Sequence, residues 1–588
     1  MTKTLISSIA ALSLLLSWLT PHHYYPWLTG DSEFLAFGAA LILSLVIFHK
    51  KIIIPHAAAL FACTAAIPVI QWMFGIVFFS GDAILSSCYL IGFSLVILIG
   101  YNLTQNEPAR TQSYQALAYL FIIGSTLSVV IAFRQWLGLS QGFSFFEAAS
   151  SGSRPFANFG QPNNLATLLC MGLASTLFLF EQRRFGRVIA SLFAVCLIFG
   201  VALTQSRTAW VGSVFALAWW FWKSQNFNPR LSWQFMTGWL CFYVICIISL
   251  PLLTPLVTHG HSAVSLATSI QKMDNGRGLL WQQFATAVLH GPLWGYGWNQ
   301  VSVAQVTVSN LFPVSVMTTS SHNILLDLLV WNGPLLGSLI IIMAMTWLVR
   351  LAYCAKSLTS VYALLAVGFA LIHGMLEYPL EYAYFLLPVG LLLGMVYGEV
   401  SSTQKYIETL PISKYLSRLP RLSGELPRTV FASFLAICTV FMIWLGYEYH
   451  TLNRDYRAFK PSKLTPNKAS TAIYNPDHII VLTQLRDYLQ LQSINPTPNM
   501  TEQQLDWARE VAYRFPQVEN LARYATALAL NNQPIQAGQE LSELRILYGN
   551  HVFTEAAEAL TALQQEYADQ ATAAYRRCHH RHHDNCSK

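Results

Sequence analysis

The spacing of long, uncharged apolar runs limits this fold more than any other feature of the sequence. Thirteen such runs lie at about 4–20, 33–48, 53–72, 83–100, 114–133, 164–180, 188–204, 209–222, 233–253, 323–349, 359–376, 383–399 and 429–447. Each approaches the length of about 20 residues that a helix needs to cross a bilayer. Hydrocarbon offers no partner to a backbone N–H or C=O, so runs of this kind span as helices. The expectation is an all-α polytopic membrane protein with about 13 transmembrane helices. Composition agrees: 54% of the 588 residues are hydrophobic and 11% charged, against about 25% charged in a soluble domain. The first run is followed by PHHYYPW, with no small-residue cleavage site, and is read as a retained span.

Basic residues set the orientation. Lys50, Lys51, Arg183, Arg184, Arg187, Lys223, Arg230, Arg350 and Lys356 fall in one set of loops, with Lys405, Lys414, Arg418, Arg421 and Arg428 in another loop of that set. These loops are expected in the cytoplasm, with the N-terminus inside and the chain after about 448 outside. The net charge of +7 is mostly this bias and forms no nucleic-acid patch. Residues 1–447 then make the membrane body, 254–322 one long outer loop, and 448–588 a soluble tail. The tail repeats apolar residues at helical spacing, as in VENLARYATALALNNQ, and suggests stacked helix pairs resembling tetratricopeptide repeats. Most cysteines sit inside apolar runs as small hydrophobes; Cys578 and Cys586 lie in the tail, where an oxidising compartment would allow a disulfide. The terminal RRCHHRHHDNCSK carries metal-ligating residue types but no orienting surroundings, and no metal site is expected there.

Outer loops should be poor in arginine, so the arginines found there are informative. Arg154 stands in SGSRPFANFGQPNNLATLL with Asn158, Gln161, Asn163 and Asn164. Helix capping accounts for one asparagine, not for the cluster. Arg207 forms the polar break TQSRTAWVG between two runs, and an arginine at bilayer depth usually faces a cavity or a partner. Arg277 follows a turn at Asp274, Asn275 and Gly276 and opens a helix, an arrangement that favours an anion. His322, in TTSSHNILLDLL, is a general base candidate near neutral pH; Asp327, five residues on, need not share its helix face. A last outer stretch, IHGMLEYPLEYAYFLLP, brings His373, Glu377, Tyr378, Glu381, Tyr382 and Tyr384 between two runs. An interfacial aromatic belt explains the tyrosines but not two glutamates, which suit an acceptor or the arginines. Gly291, Gly295 and Gly297 in HGPLWGYGW are candidate hinges of an outer-loop lid. Arginine prefers bidentate phosphate or carboxylate partners, so a lipid-linked phosphate or diphosphate is the expected ligand. No Walker-type loop is present, and an activated lipid diphosphate would carry its own driving force.

Together, SRTAWVG, the long outer loop and SSHNILLDLLVWNGPLLG resemble the O-antigen ligase and polymerase superfamily. ANFGQPNNLATLL and HGMLEYPLEYAYFLLP resemble its protein-glycosylating branch, the bacterial O-linked oligosaccharyltransferases of the PglL type. The resemblance covers about residues 150–400. It implies a GT-C-like fold in the inner membrane with a periplasmic active site and C-terminal domain. It implies transfer of a preassembled glycan from undecaprenyl diphosphate to Ser or Thr of periplasmic proteins such as pilin, without metal or other cofactor. Carried over residue by residue, it makes His322 the catalytic histidine and Gln161 the glutamine of the amide-rich motif. It matches Tyr378 or Tyr382 to an important tyrosine, and assigns Arg207, Arg277 and Arg154 to the diphosphate. Asn158, Asn163 and Glu377 are expected glycan or acceptor contacts. Where the family often has Glu in the post-loop helix, this chain has Trp331 and Asn332, so no catalytic carboxylate is assigned there. Two other readings stand beside this one: ligation to lipid A core or O-antigen polymerisation, and, remotely, transport of an anion.

Overall fold

The computed structural model describes residues 2–21, 23, 25–48, 51–139, 147, 154–257, 276–403, 424–459, 474 and 476–584, with backbone only for Thr2, Val257, Thr403, Phe459 and 570–584. The described chain is almost wholly helical. Its one sheet is a two-stranded antiparallel ribbon that pairs Ile52 with Leu426 and Ile53 with Glu425. Ten described helices are long and apolar enough to cross a membrane. All thirteen expected runs are helical, and three of those helices stand outside the ten. Lys3–Leu19 and Leu358–Gly374 are shorter apolar helices, the latter begun abruptly by Ser357, whose side chain accepts from Ser360 N. Arg207–Ser224 opens on a charge and carries Lys223 in its last turn.

The spans Pro162–Glu181 and Ala383–Ser402 are the most enclosed. Lipid gives helices no hydrophobic reason to associate, so close packing must come from small residues. Gly390, Gly394 and Gly398 supply it. They form a ridge one helical turn apart against Ser80–Leu103, and a Cβ on Gly394 would stand 2.3 Å from Ile97 O. The helix Ile324–Cys354 breaks at Gly333, with φ of 73°, just before Pro334. Into the break fits the segment after Gly276–His290: Tyr296 N donates to Val330 O at 2.9 Å and Gly297 N to Trp331 O at 3.1 Å. A Cβ on Gly333 would meet Leu293 O at 2.0 Å, and one on Gly295 would meet Gly333 N at 2.4 Å. Of the glycines in HGPLWGYGW, where hinges were expected, Gly295 serves close approach to the broken helix, while Gly291 packs on Ala287 and Tyr296 and Gly297 on Gln300 and Ile76.

The helix Trp233–Val257 continues into the expected outer loop 254–322, which contains the helices Gly276–His290 and Val301–Val308. Asp274, Asn275, the basic residues from Lys405 to Arg421 and Cys586 lie outside the described residues. The C-terminal helices Thr483–Ser493, Glu502–Arg514, Val518–Leu530 and Pro534–Tyr548 bury an apolar face that also takes in Phe79 and Val306. Polar contacts fix this docking. Glu448 accepts from Ile480, Val481 and Leu482 N at 2.9–3.1 Å. Arg514 makes a bidentate pair with Asp82 at 2.7 and 2.9 Å, both residues buried. Breaking a buried pair on one side strands a charge and costs about 3–5 kcal/mol. Arg514→Ala should therefore lower the melting temperature and expose the C-terminal helices to protease, while Arg514→Leu with Asp82→Leu recovers most of the loss. Equal melting of wild type and Arg514→Ala would show that the pair does not hold these helices.

Candidate functional site

Three polar segments meet where their helices begin or end. In the first, Gln161 caps Pro162–Glu181 by accepting from Asn164 N at 2.9 Å. That leaves Asn163 in the first turn, buried, with its amide turned to other segments. Its Oδ1 accepts from Ser206 Oγ at 2.7 Å and from Arg154 Nη2 at 3.2 Å. The second segment is the tip between Arg187–Thr204 and Arg207–Ser224. Gln205 ends the first helix in the left-handed region, with φ of 48°, which frees Thr204 O to accept from Arg154 Nε at 2.7 Å. Arg207 starts the next helix, exposed, and makes no hydrogen bond among the described residues.

The third segment leads into Ile324–Cys354. Gln305 laces it from both sides, donating to Val316 O at 2.8 Å and accepting from Thr318 N at 2.9 Å. Asp327 is buried and does not face His322. It accepts from Ser320 Oγ at 2.9 Å and Ser321 N at 2.8 Å, and Ser320 Oγ in turn accepts from His322 N at 3.2 Å. His322 itself has φ of 58°, a strained value for a residue with a side chain.

These segments converge on Glu377. Its carboxylate, 8% exposed, receives His322 Nδ1 at 2.9 Å and pairs with Arg277 Nη2. Asn163 Nδ2 donates to it at 3.2 Å and Gln161 Nε2 at 3.4 Å. A carboxylate only accepts, so Nδ1 of His322 carries the proton and Nε2 keeps its lone pair, with Thr318 Oγ1 at 3.4 Å. Tyr378 sets its ring edge-on to His322 at 5.3 Å, and Tyr378, Tyr382 and Tyr384 continue as a row at 6.0 and 5.1 Å.

Two expected members are elsewhere. Asn158 is buried and braces the preceding loop, donating to Leu19 O at 2.7 Å and accepting from Glu147 N at 3.1 Å. His373 lies in the last turn of Leu358–Gly374, fully buried, with Nδ1 at 2.8 Å from Thr167 Oγ1 rather than in the outer loop. Sequence reasoning placed Ser206 at the hairpin tip without a partner and missed Thr204 and Gln305; only the density of polar residues beside span ends hinted at them.

The electrostatics are one-sided. Burial, then the charges of Arg207 and Arg277, bring the Arg154 guanidinium down to about 10. Arg277 is lowered by burial and by Arg207. Three guanidiniums thus share one field, and Glu377 answers one of them. Glu381 is pushed well up by burial and by Asp327, so it adds no second charge. His322 is lowered to about 4 by burial and by Arg277. The imidazole is therefore neutral at pH 7. Among the described residues, no three His, Cys, Asp or Glu gather in a metal-ligating group. An NMR titration of the His322 ring should show a midpoint well below 6.5; one at or above 6.5 would mean that Glu377, not Arg277, sets its charge.

Comparison with known proteins adds independent findings. Residues 155–180 match a family model described as protein glycosylation ligase, 192–341 one described as O-antigen ligase, and 361–563 one described as virulence factor membrane-bound polymerase, C-terminal. The first stretch holds Gln161 and Asn163, the second Arg207, Arg277 and His322, the third Glu377, Tyr378 and Tyr382. The third also runs from the last spans into the C-terminal helices. A general O-oligosaccharyltransferase of Acinetobacter baylyi is 33% identical over 553 residues, 93% of each chain. A ComP-specific O-oligosaccharyltransferase of the same organism is 28% identical over 494 residues, 83% of this chain and 84% of the relative.

Proposed function

Since this chain belongs to the O-oligosaccharyltransferase family, we propose that it moves a preassembled oligosaccharide from undecaprenyl diphosphate to a Ser or Thr hydroxyl of an exported protein, a pilin among the candidates. The reaction is assigned to the periplasmic face of the bacterial inner membrane. The bias of basic residues toward the opposite loops supports that orientation, with the N-terminus in the cytoplasm and residues 448–588 in the periplasm. The observation that carries the reading is the contact of His322 Nδ1 with Glu377, itself paired with Arg277, beside Arg154 and Arg207.

The acceptor hydroxyl attacks the anomeric carbon of the reducing-end sugar. His322 Nε2 takes the hydroxyl proton, and Glu377 stabilises the imidazolium through Nδ1. The C–O bond to the diphosphate breaks, and undecaprenyl diphosphate leaves with increased negative charge on Arg154, Arg207 and Arg277. Preorganised charge of this kind is commonly the largest catalytic term. The amides of Gln161 and Asn163 and the faces of Tyr378 and Tyr382 suit sugar hydroxyls and acceptor backbone. The leaving group supplies the driving force, so no cofactor is invoked. The C-terminal helices, read as a repeat-like stack, are assigned to acceptor recognition.

The match of residues 192–341 to O-antigen ligase supports a second reading, with the same donor site and lipid A core as acceptor. Purified protein, undecaprenyl-diphosphate glycan and either a pilin or lipid A core, read by intact mass, separate the two. A glycan-sized gain on pilin is expected. General-base loss in His322→Ala should reduce the rate by about 10²–10⁴-fold, and Arg207→Gln by about 10²–10³-fold, with membrane insertion unchanged. Wild-type transfer by His322→Ala would end this mechanism; gain on lipid A core alone would move the chain to ligation.

A further inference from the structure

A cavity of about 480 Å³ lies among Pro162–Glu181, Arg187–Thr204, Arg207–Ser224, Trp233–Val257 and Leu358–Gly374. Its walls are mainly aliphatic and aromatic, with Leu177, Ala194, Leu217, Met236, Trp239 and Phe369 among them. It follows Arg187–Thr204 from Arg187 to Val201, about 21 Å at the helical rise. Arg187 and Arg230, both exposed, stand at one end, and Arg183 and Arg184 precede them in the chain. The nearby carboxylate of Glu181 is engaged by Arg230 N and Leu231 N at 2.7 and 2.8 Å. The Arg230 guanidinium donates to Phe180 O and lies over the Phe180 ring at 4.0 Å. This end therefore carries excess positive charge. It is also the end away from the polar cluster, because Pro162 and Thr204 are the opposite termini of their helices.

We propose that the cavity binds an acyl chain of an anionic phospholipid whose phosphate rests on Arg187 and Arg230. A narrow apolar cavity of this length fits a membrane-lipid chain and excludes a water-soluble ligand. Basic pockets between membrane helices recognise anionic headgroups. The position of the charge selects the occupant further. From Arg187 to Thr204 is about 26 Å of helix, so a phosphate at Arg187 belongs to a lipid of the other leaflet from one at Arg207. A polyprenyl chain entering from the Arg207 end carries no charge to the Arg187 end. Seated here, the lipid braces the helices that bear Asn163 and Arg207. The inference needs only the membrane-spanning fold and does not depend on which group the site transfers.

The test uses purified full-length protein in detergent and phosphatidylglycerol with a photoreactive diazirine midway along one acyl chain, with adducts mapped by mass spectrometry. Labelling is expected on Leu177, Ala194 and Leu217. Arg187→Gln and Arg230→Gln should each lower it about fivefold, and phosphatidylcholine bearing the same diazirine should label less than phosphatidylglycerol. Ala194→Trp, which fills the cavity and leaves both arginines, should abolish labelling; Leu217→Trp takes its place if Ala194→Trp does not purify folded. Equal labelling by the two lipids, or labelling unchanged by cavity filling, overturns the proposal. So does displacement of the probe by undecaprenyl phosphate but not by unlabelled phosphatidylglycerol, which assigns the cavity to the polyprenyl chain.

Discussion

The site rests on one buried carboxylate. Glu377 is almost sealed from solvent, and an isolated carboxylate in such a place is very costly unless paired and hydrogen-bonded. Four donors answer it: Arg277 from the outer loop, His322 from the approach to a span, and Gln161 and Asn163 from the start of another. These donors are separated from Glu377 by 55 to 216 positions in the chain. Because no single donor satisfies the carboxylate, the carboxylate gathers segments that have no other polar reason to meet. The requirement to compensate one charge thus assembles the histidine, Arg277 and the two amides.

Compensation is deliberately incomplete from the positive side. Glu377 balances Arg277, while Arg154 is held by Thr204 O and Asn163, which are neutral. Arg207 has no anionic partner among the described residues. The surplus costs little while the site is open to water at Arg207, and it is cancelled when an anion arrives. Burial first, and the charge of Arg277 second, disfavour the imidazolium of His322. An anionic donor would relieve that opposition and raise the basicity of His322 when it is needed.

Much of this was legible in the sequence, for a physical reason. Hydropathy reveals spans because hydrocarbon penalises charge, and all thirteen expected runs are helical. The same penalty makes Arg154, Arg207, Arg277, His322 and Glu377 conspicuous at the ends of apolar runs. Partnership was not legible. A pairing of the glutamates with the arginines was foreseen, but not that His322 shares the carboxylate, nor that Asp327 serves the backbone of Ser321 instead of the imidazole. Asn158 looked like a site amide because composition does not say which way an amide points. The break at Gly333 was hidden as well, since Gly-Pro in a span permits a break and only the docking of Tyr296 and Gly297 N–H groups requires one.

The strain at the site has to be held by its surroundings. Gln205 and His322, on either side of the cluster, both hold left-handed backbone without being glycine, at about 1–3 kcal/mol each. Such conformations persist only where the surroundings over-determine them. The His322 loop is held at its start by Gln305, at its end by Asp327 and through its side chain by Glu377. Gln305 lies on Val301–Val308, whose Ser302 donates to Arg514 O, and Arg514 is clamped to Asp82 at the head of a span. That span packs on the glycine ridge of Ala383–Thr403, and the polypeptide just before that helix carries Glu377. The chain of contacts closes on itself, so the backbone of His322 and the carboxylate that orients its ring are referenced to the same rigid pair of helices. On the reading proposed above, that closure is what would hold His322 aligned between a donor in the bilayer and an acceptor in water.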